Sequence, residues 1–199
     1  MALTMTDRVL GEAFGAQSGA ALRAKQVAMV VLGIAALAIA AKIKVPMWPV
    51  PVTMGTFAVL TLGAAYGPML GLTTILGYMI LGALGLDVFA GSGAEAAGLT
   101  YMMGGTGGYL LGYVLAVGIL GLAARAGYDR SVGGMAAALV AGNVAIYVPG
   151  LLWLGVLYGW DQPILQWGLT PFLVGDAIKL ALAALLVPGL WKLVGDARR

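Results

Sequence analysis

The sequence predicts an all-α integral membrane protein, a compact bundle of six transmembrane helices with both termini on the cytoplasmic side. Three observations lead there. Hydrophobic residues make up 61% of the 199 positions and charged ones 10%, with a mean hydropathy of +0.98; soluble domains are roughly 45–50% apolar and about 25% charged. Such a chain lacks the polar surface to face water, so lipid is its solvent. Apolar runs recur at about the 20-residue length a helix needs to cross hydrocarbon. Basic residues are distributed unevenly: the inner segments hold Arg8, Arg23, Lys25, Arg125, Arg130, Lys192, Arg198 and Arg199, the outer loops only Lys42 and Lys44. That is the positive-inside bias.

Residues 1–25 mix acids and bases and lack the continuous apolar core of a signal peptide. They read as a cytoplasmic tail, partly a surface helix. The membrane domain covers 26–194. Its first span, about 26–45, is ended by "KVPMWPVPVT", whose prolines stop a helix. The second and third lie in "TFAVLTLGAAYGPMLGLTTILGYMILGALG", divided at Gly67-Pro68, a turn signal. Both are short, which suggests a hairpin that does not fully cross or crosses with help from its neighbours. Residues 85–104 are Gly-rich and read as a structured loop dipping into the protein, where protein or water must cover the backbone. A fourth span follows at about 105–124, then the polar turn "ARAGYDRS". The fifth covers about 133–159, bent at Pro149 and Gly150. "WDQPILQW" is a loop with interfacial tryptophans, the sixth span runs from about 171 to 194, and 195–199 is a cytoplasmic tail.

Composition also excludes functions. Cysteine and histidine are absent, which removes disulfides, thiolate or imidazole metal sites and Cys/His or Ser/His catalytic pairs. No GK[ST] occurs, so there is no Walker A loop, and "GGTGGY" does not match a dinucleotide fingerprint. The pattern is that of a non-enzyme without cofactor or metal. The basic residues flank apolar segments instead of clustering, so they mark topology and not nucleic-acid binding.

Within the spans, Asp176 and Lys179 stand out. Each would cost on the order of 2.5–3.5 kcal/mol at a helix centre in lipid. Their spacing puts both on one face of the sixth helix, roughly 8 and 12 Å in from its outer end, facing the bundle or a cavity. They form an internal ion pair or offer an acceptor and a donor to a polar ligand. Asn143 and Tyr147 share a face of the fifth helix. Thr53 follows the proline-rich loop, which also holds Trp48. Gly91, Ser92 and Gly93 offer backbone amides to a carboxylate, and Lys42 and Lys44 could attract one. In "GGTGGYLLG" Thr106 could cap the fourth helix, the exposed N–H groups at its start make an anion site, and Tyr109 joins the candidate ligand-binding residues. Gly33, Ala36 and Ala40 form a small-residue face on the first helix, for packing inside the bundle or for docking another membrane subunit.

The blocks "KVPMWPVPVTMGTFAVLTLGAAYGPMLG", "GLDVFAGSG", "GGTGGYLLGY" and "VGDAIK", in this order over about residues 30–190, resemble the BioY family, the biotin-binding S components of energy-coupling factor transporters. The resemblance implies a multi-pass protein of a bacterial-type inner (plasma) membrane that binds biotin near the extracytoplasmic face. It implies partnership with a transmembrane coupling subunit and two ABC-type ATPase subunits, and it allows a homo-oligomer. It assigns Asp176 and Lys179 to the ureido ring, and Ala36 and Ala40 to docking. An S component for another small vitamin, or a self-sufficient secondary carrier, are the alternatives. The chain departs from the family pattern at Gly55, where an amide residue is usual, and at Gly105, where proline is common.

Overall fold

The computed structural model describes residues 8–46, 48–91 and 97–196. The chain is helical: α1 (Gly19–Lys42), α2 (Gly55–Ala83), α3 (Gly98–Met102), α4 (Gly107–Arg125), α5 (Val132–Tyr158), α6 (Ile164–Gly168) and α7 (Leu173–Asp196). Two short strands, β1 (Lys44–Val45) and β2 (Val52–Thr53), pair antiparallel across the proline-rich loop. Among the described residues five helical stretches are long and apolar enough to cross a membrane: α1, α2, α4, α5 and the run ending in α7.

The expected second and third helices are joined in α2, and Gly67 marks where they meet. Its φ of 74° and ψ of 177° interrupt α2, a backbone region essentially reserved for glycine. The two arms fold back on each other. A Cβ on Gly71 would lie 3.7 Å from the Gly63 Cα, whereas a straight helix separates such residues by about 12 Å. The second and third helices are thus the arms of one element, each shorter than an ordinary span. The turn rests beside Val9 and Arg125, at the inner end of the bundle. Nearby, Arg125 holds Glu12 through two hydrogen bonds of 3.0 and 2.5 Å.

α4 is the centre, with α2 on one side and α5 on the other; α7 packs against α5, and α1 lies outside against α2. Small residues permit this closeness: a Cβ on Gly112 would stand 2.6 Å from the Ile146 Cα, so only glycine lets α4 and α5 meet there. The core joins Val59, Leu60, Val117, Leu120, Leu139 and Ile146. Outward, Val140, Val144, Val148 and Leu152 of α5 are exposed, a four-residue repeat that forms a lipid-facing stripe.

The helix starts earlier than expected at the N-terminus: α1 begins at Gly19, and Val9 and Ala13 of the preceding segment are buried against the bundle. The 85–104 loop does dip into the protein. Phe89 is buried, edge-on to Tyr78 and stacked on Tyr101. On the outer side Trp48 packs edge-on against Trp167 and Tyr158, with ring centroids 4.9 and 5.5 Å apart. This joins the β1–β2 loop to the segment before α7.

Candidate ligand-binding site

The polar centre assembles from three helices. Asp176 and Lys179 occupy the first two turns of α7 and are 2% and 7% exposed. Lys179 Nζ donates to Asp176 Oδ1 at 2.9 Å and to Thr56 Oγ1 at 3.0 Å, and Thr56 Oγ1 donates to Asp176 Oδ1 at 3.4 Å. On the other carboxylate oxygen, Tyr147 donates its hydroxyl at 2.6 Å and Asn143 its amide at 3.4 Å. Both oxygens therefore have two donors, and the ammonium has two acceptors. A buried ion pair survives only when its remaining hydrogen-bonding capacity is met in this way. The Asn143 Oδ1 is buried without a partner, which leaves one acceptor free at the edge of the cluster.

An inner cavity of about 60 Å³ opens beside this cluster. Lys179 and Thr56 form its polar floor, and Tyr78, Phe89, Tyr109, Tyr113, Tyr147 and Phe172 surround it. Asp176 and Asn143 are not on the wall; they lie behind Lys179 and Tyr147 and fix them. Thr53 and Gly55 complete the wall. A Cβ on Gly55 would come within 2.9 Å of Thr53 Oγ1 and 3.1 Å of the Tyr113 hydroxyl, so those two hydroxyls fill the space a larger residue would need. The Thr53 Oγ1 also accepts from the Gly55 N–H at 2.9 Å.

Several sequence-based expectations change here. The Tyr109 hydroxyl donates to the Gly168 carbonyl at 2.7 Å, so Tyr109 presents its ring to the cavity and not its hydroxyl. Thr106 is the residue before α4, yet its side chain makes no cap hydrogen bond; its Oγ1 is buried and unpartnered, and the residue lines the cavity. The Gly91 N–H donates to the Tyr101 hydroxyl at 3.1 Å and is not a free amide for a carboxylate. Ser92, with Gly93, lies outside the described residues. Lys42 forms an ion pair with Asp87 at 2.5 Å, whereas Lys44 donates to the Ala90 carbonyl. Among the small residues of α1, Gly33 is buried, with its would-be Cβ 2.7 Å from the Thr74 methyl. It also lines, with Ala36, Ala40, Leu32, Ile39 and Phe57, an outward groove of about 670 Å³.

Sequence reading missed Thr56, Tyr101 and Tyr113. Thr56 directly follows a segment already marked by prolines, but only the packing of α2 on α7 brings it to Asp176. Tyr101 sits in a loop with no periodicity to orient it.

The BioY family profile matches residues 13–196. The chain belongs to the BioY family. Its relatives include the probable biotin transporter BioY of Pyrococcus horikoshii, 36% identical over 83% of this chain and 95% of that protein. The biotin transporter BioY of Thermotoga maritima is 35% identical over 80% of this chain and 91% of its own length. In fold, the chain resembles the crystal structure of the S-component for biotin from an ECF-type ABC transporter, with a TM-score of 0.74 at 22% identity, covering 88% and 95% of the two chains. Membership of BioY makes this a membrane transport protein and not an enzyme.

Proposed function

We propose that this BioY protein captures biotin at the extracytoplasmic face of the plasma membrane for import. It does so as the substrate-binding subunit beside a transmembrane coupling subunit and two ABC-type ATPase subunits. The names of its relatives support the substrate, and one observation carries the chemistry: a buried acid–base pair whose Lys179 forms the floor of an aromatic cavity, with Asp176 directly behind it. Biotin's ureido ring offers N–H donors and a carbonyl acceptor. Asp176 is the acceptor for the former and Lys179 the donor for the latter, and charge-assisted bonds are the stronger kind. The aromatic wall covers the thiophane ring. The pair then exchanges part of its mutual contact for contacts to the ring, while Tyr147, Asn143 and Thr56 keep both groups oriented.

Direct binding to purified protein tests this. Retention of biotin and loss of affinity by about 10- to 100-fold in Asp176→Asn are expected from the removal of a charge-assisted bond. Because that change leaves Lys179 buried and unpaired, at a cost of about 3–5 kcal/mol, Thr56→Val serves as the gentler probe and should weaken binding with the fold intact. A protein that fails to retain biotin, or that prefers another vitamin in competition, overturns the reading.

A further inference from the structure

An outer chamber of about 340 Å³ adjoins the inner cavity, and Pro51, Tyr101 and Thr106 form part of both walls. The inner cavity has its polar floor at Lys179 and Thr56. The outer chamber has a different character: Lys44 is the only charged residue on its wall among the described residues. The β1–β2 pairing sets Lys44 opposite Thr53, which fixes the cation at the rim. Its ammonium donates to the Ala90 carbonyl, leaving two of its three donors for a ligand. The Tyr101 hydroxyl accepts from the Gly91 N–H at 3.1 Å, so its own proton is available to donate. The Thr106 hydroxyl is buried and has no partner. Three donor-bearing residues thus line one chamber, and Asp87 is paired with Lys42.

We propose that Lys44, Tyr101 and Thr106 form an anion cradle that takes the carboxylate tail of the ligand and makes the site prefer the free acid over its neutral derivatives. This rests on the biotin reading above and extends it from the ring to the tail. The head lies at the Asp176–Lys179 floor, the alkyl chain passes the shared wall of Pro51, Tyr101 and Thr106, and the carboxylate meets the cation at the rim. Sequence alone gave Lys42 and Lys44 equal standing; the ion pair to Asp87 separates them.

Equilibrium binding of biotin and of its uncharged primary amide to the full-length protein in nanodiscs tests the proposal. The unaltered protein should favour biotin over the amide by about tenfold or more, as expected for charge-assisted bonds. Lys44→Gln should bring the two ligands to near parity by weakening biotin alone. Lys44→Arg should keep the preference, and Thr106→Val should reduce it. Lys44 is exposed, so its two variants leave the bundle intact. If the unaltered protein binds both ligands equally, or if Lys44→Gln weakens both to the same degree or neither, the cradle is wrong while biotin binding stands. Retention of neither ligand by the unaltered protein defeats the biotin reading and the cradle together.

Discussion

At the scale of single residues, two acids are buried among the described residues, in opposite settings. Asp176 has four donors around it, one of them a cation. Asp129, in the inner turn between α4 and α5, is 1% exposed and accepts from Trp191 Nε1 at 2.5 Å and from Arg130 Nε at 3.3 Å. The Arg130 guanidinium also lies 3.5 Å from the centre of the Trp191 ring, a cation–π contact. Burial raises the Asp129 pKa above its ordinary value of 3.8, and the hydrogen bonds from Trp191 and the charge of Arg130 only partly oppose it. The folded state therefore holds this proton to higher pH than the unfolded state does. Its contribution to stability is full below about pH 4 and declines as pH rises through the folded pKa. In Asp129→Asn that slope should vanish, so melting temperatures of variant and parent, measured in detergent from pH 3.5 upward, should diverge in the variant's favour as pH rises. Parallel curves would contradict this account.

At the scale of elements, α2 is where local sequence and tertiary context meet. Gly67-Pro68 is legible as a break because glycine and proline there have a direct conformational meaning. That the break is a fold-back, with both arms packed beside α4, depends on contacts eight and fifty residues away. Gly67→Ala should lower the melting temperature, since a side chain at this φ and ψ costs about 1–3 kcal/mol and would press on Val9 at 3.2 Å. Gly118→Ala is the matched control: nothing lies within 4 Å of its would-be Cβ, and alanine in a helix interior is favoured by roughly 0.5–1 kcal/mol. Its melting temperature should hold or rise. If both variants behave alike, the hairpin turn is not the strained position the backbone indicates. The same reasoning divides the small-residue face of α1. Gly33, Ala36 and Ala40 all line the outward groove, but Gly33 also packs closely on Thr74 and Leu62 within the bundle.

At the scale of the whole molecule, the cavity and the groove on α1 are separate surfaces. The cavity lies among α2, α4, α5 and α7, whereas the Ala36–Ala40 groove lies between α1 and the first arm of α2. We propose this groove as the docking face for the coupling subunit. Ala36→Trp should then abolish co-purification with the coupling module and biotin uptake, while binding of biotin by the isolated protein stays within error of the parent. Loss of binding, or assembly that survives the tryptophan, would sever the groove from docking.

The sequence by itself determined that the protein is a membrane bundle and that Asp176 and Lys179 share one helix face. Lipid makes this possible: each segment must satisfy its own backbone, so length, apolarity and flanking charge act almost one-dimensionally. Only the tertiary structure decided what each polar group meets. Thr56 lies 120 residues from Asp176 in the chain and completes its hydrogen bonding. The Tyr109 hydroxyl and the Gly91 N–H, candidates by composition, are already engaged by Gly168 and Tyr101. Spacing fixes which side chains share a face of one helix. Which way that face turns, and which donors are left over for a ligand, follows from the packing of neighbouring helices, where a few close glycine contacts set the register.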